Sequence, residues 1–332
     1  MEIASAHGVK GKRNEAVDLV KFIAMIMVLG LHQYFGRKES FHSAHIIVYM
    51  CGIAMPLFFM VSGYLMTARD VDYKYVGKKI LRILRFVVCM GVIYWLFYDV
   101  ANGNYKPLGI IVISAESLVD EGPMSIFWFF GTMIVIYLLL PWINKLTNKY
   151  KAFLPSALAV LFVIVSVVYI LNIRCRFEAN FRLTFRLWDY FFYFLLGAAV
   201  RRCNILCIRV SLLAVLALWV VNTCMVYYNY PVMGPVDFQL CSVTMVMLTL
   251  LTFIFILQRM KKENRWIEMT PQLFLPVYAL HPIYYEAYYK CIDTSFMGEL
   301  SPMLDFAVSI VVLIAVSLAI MRTPGVKMVF RI

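Results

Sequence analysis

The chain has 332 residues, of which 63% are hydrophobic and only 15% charged, and its mean hydropathy is +0.79. That balance excludes a water-soluble domain, in which charged residues make up roughly a quarter of the chain. The net charge of +12 suits nucleic acid or a membrane surface equally well, and the placement of the basic residues decides between them.

A bilayer-crossing helix takes about 20 mostly apolar residues, and apolar runs predict helices at 17–36, 44–67, 80–100, 127–144, 152–172, 188–201, 208–228, 237–258, 271–289 and 304–321. The fold class expected is therefore all-α, a polytopic bundle of about ten transmembrane helices. The first run opens after Lys10, Lys12 and Arg13 but holds Asp18 and Lys21 and lacks a small-residue cleavage site, so it reads as a span rather than a signal peptide. Ionisable groups within spans cost roughly 2.5–3.5 kcal/mol each on insertion scales and ask for a partner or a function. On a helical projection Asp18, Lys21 and His32 share one face with Met25 and Val28, and Lys21 and His32 stand about 16 Å apart along the axis. Asp18 and Lys21 fit an ion pair with a snorkelling lysine, or the polar lower part of a channel. His32 occupies the outer half, where Leu or Phe would pack as well. A neutral imidazole there suits a general base that takes a proton from a sugar hydroxyl attacking an acyl carbonyl; a packed core histidine is the alternative.

The second run carries MPLFFMVSGYL at 55–65, and the third follows the densest basic cluster: Arg69, Lys74, Lys78, Lys79, Arg82 and Arg85. This cluster fits anchoring to anionic lipid or a clamp for the phosphates of a nucleotide-bearing donor such as coenzyme A. An acidic outer loop at 101–126 contains Glu116, Asp120 and Glu121. Trp128 opens the fourth run, either as an interfacial belt residue or as a sugar-stacking platform. The sixth run is short and crowded with aromatics, which predicts a tilted or partly re-entrant segment. The ninth holds Pro276, Tyr278, His281 and Pro282; its prolines free backbone carbonyls that are tolerated only against protein or a cavity, which His281 and the tyrosine hydroxyls would line.

With the N-terminus in the cytosol, 22 of the 31 Lys and Arg residues fall in inside segments and 8 in outside ones, Lys21 lying within the first helix. This asymmetry places both termini in the cytosol and explains the basic excess by topology, without nucleic acid. The eight cysteines are scattered, and Cys203 and Cys207 lack a second pair or a nearby His; neither a disulfide framework nor a metal site is expected. No internal repeat is visible. The expectation is one membrane domain over 1–332, without a fused extracytoplasmic domain, in the inner (cytoplasmic) membrane.

In order along nearly the whole chain, these segments resemble the bacterial membrane acyltransferase-3 family. RNEAVDLVKFIAMIMVLGLH is similar to its opening pattern of a basic residue, ten residues and a histidine, here Lys21 and His32, although many members have Arg at the first position. MPLFFMVSGYL resembles its second-helix signature, ending in Ser62, Gly63 and Tyr64, and Arg82 with Arg85 resembles its cytosolic arginine pair. FWFFGTMIVIYLLLP at 127–141, YFFYFLLGAAV at 190–200 and LPVYALHPIYY at 275–285 resemble later segments. The resemblance implies an acyltransferase with acyl-CoA, commonly acetyl-CoA, as cytosolic donor. His32 is then essential for transfer, with Asp18 and Lys21 setting the local field, and Arg82, Arg85, Ser62 and Tyr64 hold the donor. The implied acceptor, a surface glycan or its lipid-linked precursor, meets Trp128, Tyr278 and His281. The competing reading is a transporter or flippase of polysaccharide precursors, which predicts inverted repeats; a non-catalytic scaffold of an envelope assembly leaves the polar stripe on the first helix unexplained.

Overall fold

The structure, a computed structural model, describes residues 14–33, 42–67, 71–103, 108–203, 205–260 and 265–330. Lys10, Lys12, Arg13 and Arg69, used in the topology reading, lie outside the described residues. Each predicted span coincides with a helix: α1 (Glu15–His32), the pair α2 (His42–Cys51) and α3 (Ala54–Met66), α4 (Tyr73–Tyr98), a short α5 (Gly109–Ser117), α6 (Trp128–Lys149), α7 (Phe153–Cys175), α8 (Leu187–Arg202), α9 (Leu212–Met233), α10 (Val243–Arg259), α11 (Arg265–Cys291) and α12 (Ser301–Arg322), followed by the single turn α13 (Pro324–Lys327). No strand occurs among the described residues. Among the described residues, six segments are long and apolar enough to cross a membrane, and the chain is a polytopic helical membrane protein.

Burial sorts the helices into two shells. The most apolar windows of α7, α9 and α12 are only 17, 17 and 22% buried, against 72% for α2–α3 and 67% for α6. The outer helices present side chains such as Val163, Val220 and Val311, more than 60% exposed, because lipid solvates apolar surface on any side. α1, α8, α10 and α11 are shorter or carry more polar residues, and α10 and α11 pack against α1, whose Val20, Ala24 and Leu29 are fully buried.

Several boundaries differ from the sequence expectation, and three of the differences have a local cause. The second span is broken between Cys51 and Ala54, because Pro56 lacks the N–H that would bond the Gly52 carbonyl. A Cβ at Gly52 would also lie 2.6 Å from Val236 and 2.9 Å from Met245. The third span begins at Tyr73, not 80, capped by Asp72, whose side chain accepts from the Tyr75 N–H at 2.7 Å; hydropathy marks only its intramembrane part. The eighth begins at Val243 rather than 237, since Ser242 caps it and residues 236–238 form a separate 3-10 turn after Pro235. Asp237 therefore lies in a connection.

The tightest joint is the crossing of α3 and α8. A Cβ at Gly63 would stand 1.8 Å from the Phe194 carbonyl oxygen, and one at Gly197 would stand 2.0 Å from that of Met60. The obstacle is backbone in both cases, so a rotamer change cannot relieve it; close approach of this kind is what small residues provide between membrane helices. Gly63→Ala is expected to destabilise the detergent-solubilised protein by at least about 1–3 kcal/mol, seen as a lowered thermal midpoint. Gly77→Ala in α4, where an added Cβ meets nothing within 4 Å, is expected to leave the midpoint unchanged or raise it.

Candidate active site

α1 is capped by Asn14, whose side chain accepts from the Val17 N–H, and ends inside the bundle at His32. Its terminal carbonyls need donors that lipid cannot supply, and α11 brings them: the Tyr285 hydroxyl donates to the Leu29 carbonyl at 2.9 Å and the Tyr289 hydroxyl to that of Gln33 at 3.1 Å. The His32 Nδ1–H donates to the Val28 carbonyl at 2.9 Å. Since a carbonyl only accepts, this bond assigns the proton of the neutral ring to Nδ1 and leaves the lone pair on Nε2. The ring of His281 lies 4.9 Å from that of His32, tilted by 46°. His281 is fully buried, and its hydrogen-bonding neighbours are the backbone groups of Val277 and Tyr278 in the preceding turn of α11.

Two cavities lie along the bundle, and His32 lines one of them. On the positive-inside orientation, the outer one, about 480 Å³, is lined by His32, Trp128, Tyr190, Tyr230, Asp237 and Tyr278, among others. The inner one, about 510 Å³, is lined by Lys21, Ser62, Lys79, Gln272 and Lys327 with Phe58, Phe129, Phe130 and Phe274. Between them lies one aromatic layer. Tyr278, in the wall of the outer cavity, packs 5.7 Å from Phe130 and Phe274 and 6.3 Å from Phe129, all three in the wall of the inner cavity. The Tyr278 hydroxyl donates to the Ile126 carbonyl, which fixes the ring. Pro282 lacks the N–H that would bond the Tyr278 carbonyl, and one residue on, the Tyr94 hydroxyl donates to the Ala279 carbonyl at 2.9 Å.

The sequence-predicted residues separate along this axis. His32, Trp128 and Tyr278 line the outer cavity, and His281 stands behind His32. Trp128 is 6% exposed, its ring 4.8 Å from that of Tyr190, so it belongs to the bundle wall and not to an interfacial belt. Lys21 lines the inner cavity and also pairs with buried Asp18 at 3.5 Å, so both readings of these residues apply. Ser62 lines the inner cavity, whereas Tyr64 is packed behind it, accepting from Arg201 at 3.1 Å. Arg82 and Arg85 are exposed on α4 beside the cavity wall formed by Lys79 and Ile83, and neither lines it.

Sequence reasoning missed Lys327, which follows a span, and the Arg186–Asp237 pair. Arg186 is 4% exposed; it donates to Asp237 at 3.0 Å and to the Phe181 carbonyl at 3.2 Å, and its guanidinium lies 4.6 Å from the centre of the Phe238 ring. Burial raises the Asp237 carboxyl above the ordinary carboxylate range, and the Arg186 charge pulls it back. The only sequence signal was the cluster of four cations at 174–186 in an outside segment. Arg186→Leu is expected to cost about 1–3 kcal/mol by leaving Asp237 without its partner, and adding Asp237→Asn is expected to recover part of that loss, as measured by thermal unfolding in detergent.

Compared with known proteins, residues 14–322 match the family described as an acyltransferase domain. The chain is 25% identical over 140 residues to a protein named amino-acid racemase from Enterococcus faecalis, covering 38% of this chain and 20% of that protein. It thus spans about a fifth of the length of this relative. No solved structure matches it.

Proposed function

Because the chain belongs to the acyltransferase-3 family, we propose that it is a membrane acyltransferase that transfers an acyl group, acetyl in the first instance, from cytosolic acyl-CoA to a hydroxyl of a surface polysaccharide or its lipid-linked precursor. The multi-pass chain then resides in the cytoplasmic membrane. The observation that carries this reading is the pair of cavities, lysine-ringed on one side and bearing His32 on the other, separated by a single aromatic layer. A nucleotide-bearing thioester is a polyanion at one end and a slender chain at the other. Lys21, Lys79 and Lys327 suit its phosphates, and the arm would run past Ser62 toward the layer around Phe58, Phe274 and Tyr278.

In the outer cavity, a sugar would rest among Trp128, Tyr190 and Tyr230, with Asp237 accepting from its hydroxyls. Nε2 of His32 takes the proton of the attacking hydroxyl while its oxygen forms the new C–O bond to the thioester carbonyl carbon. The C–S bond breaks, and the leaving thiolate receives the proton as free coenzyme A. The Val28 carbonyl orients the ring, and the negative end of the α1 dipole stabilises the positive charge that the imidazole acquires. His281 offers a second imidazole within reach of that proton.

His32→Ala is expected to lower acyl transfer by about 10²–10⁴-fold, the usual worth of a positioned general base, while leaving coenzyme A affinity unchanged. The measurement is release of coenzyme A from radiolabelled acetyl-CoA by purified protein with cell-envelope acceptor, together with glycan analysis of wild-type and deletion strains. Transfer at the wild-type rate by His32→Ala would remove the catalytic role of this residue, and absence of any acylated product with the wild-type protein would favour transport.

A further inference from the structure

The segment after α12 bends back over the inner cavity and supplies part of its wall. Thr323 ends α12, the turn Pro324–Lys327 follows, and Lys327 and Phe330 line the cavity together with Lys21 of α1 and Lys79 of α4. Phe330 is 7% exposed and meets Phe86 of α4 edge-on at 5.7 Å. Arg85, one residue before Phe86, donates from Nη2 to the Met328 carbonyl at 3.2 Å. Backbone bonds from Lys327 to Thr323 and from Val329 to Val326, at 3.0 Å each, hold the bend. Ammonium groups from three separate elements therefore converge on one cavity, and one of them sits on a short strap fastened by an aromatic side chain and by an arginine that does not itself reach the cavity.

We propose that residues 324–330 form a strap completing the donor site, in which Lys327 contacts a donor phosphate, Phe330 anchors the strap, and Arg85 is a positioning residue acting through the Met328 backbone. This rests on the reading that the inner cavity receives acyl-CoA. The geometry accounts for a cation beside the cavity whose side chain points to the chain's own backbone: a guanidinium bound to a carbonyl keeps its charge near the site while its hydrogen bond fixes the register of the strap.

The test is coenzyme A binding by the full purified chain in detergent, measured by calorimetry for wild type, Arg85→Ala, Lys327→Ala and the double variant. Each single variant is expected to weaken binding by roughly 5–20-fold, the loss of one charge-assisted contact. The double variant is expected to bind no more weakly than Lys327→Ala, because Arg85 acts through Lys327, and Arg85→Lys is expected to restore part of the affinity by donating to the same carbonyl. Coenzyme A is also expected to protect Lys327 from an amine-reactive reagent in the wild type, and Arg85→Ala to abolish that protection. Additive losses in the double variant would place Arg85 on the donor itself and overturn the strap. Unchanged affinity in Lys327→Ala, with coenzyme A still bound, would overturn the strap alone; no binding by the wild type would overturn the donor reading and the strap with it.

Discussion

The rest of this structure depends on a thin partition of packed aromatic rings. Tyr278, Phe129, Phe130 and Phe274 separate a cavity reached from the basic side of the bundle from one reached from the acidic side. On the proposed reading, reactants from two compartments must come within bonding distance while the bilayer stays sealed. Stacked and edge-on rings do this at small cost, because they fill volume densely and turn about few bonds. Hydrogen bonds to backbone carbonyls hold the layer: Tyr278 donates to the Ile126 carbonyl, and Tyr94 donates to that of Ala279.

The same economy governs the buried polar groups. In the interior each donor or acceptor needs a partner, and the outer end of the bundle supplies them in closed sets. Asp305, fully buried, accepts from the hydroxyls of Tyr288, Thr294 and Ser301, and Glu178 accepts from Asn172 and Trp188. Such sets are structural, since their hydrogen-bonding capacity is spent within the protein. The imidazoles at the end of α1 contrast with them. His32 bonds the Val28 carbonyl through Nδ1 and lines a cavity able to admit a hydroxyl-bearing reactant, with His281 of α11 packed against it.

Helices that carry polar chemistry need not be the most apolar ones. α1 and α11 hold both histidines and pack against each other in the interior, while α7, α9 and α12 supply the apolar surface that meets lipid. The crossing of α3 and α8 at Gly63 and Gly197 brings the α3 backbone against α8, and with it Phe59 against Tyr190, which in turn packs on Trp128 in the outer wall. Packing far from the histidines in sequence thus sets the shape of the space in front of them.

Composition and the spacing of apolar runs determined the helical class and the rough limits of the helices, because hydrocarbon thickness and the cost of unpaired backbone groups act on local sequence. His32 and His281 were also legible, since an ionisable residue within an apolar run stands out. What only the tertiary structure decided was proximity: that α1 and α11 bring two histidines to within 4.9 Å, that Arg186 meets Asp237 across 51 positions, and that Lys327 joins Lys21 on one cavity while Arg85 turns to a backbone carbonyl. Hydropathy marks which residues enter the bilayer but carries no information about which faces meet there, because between helices in lipid the choice rests on shape, close backbone approach and hydrogen bonds between distant positions.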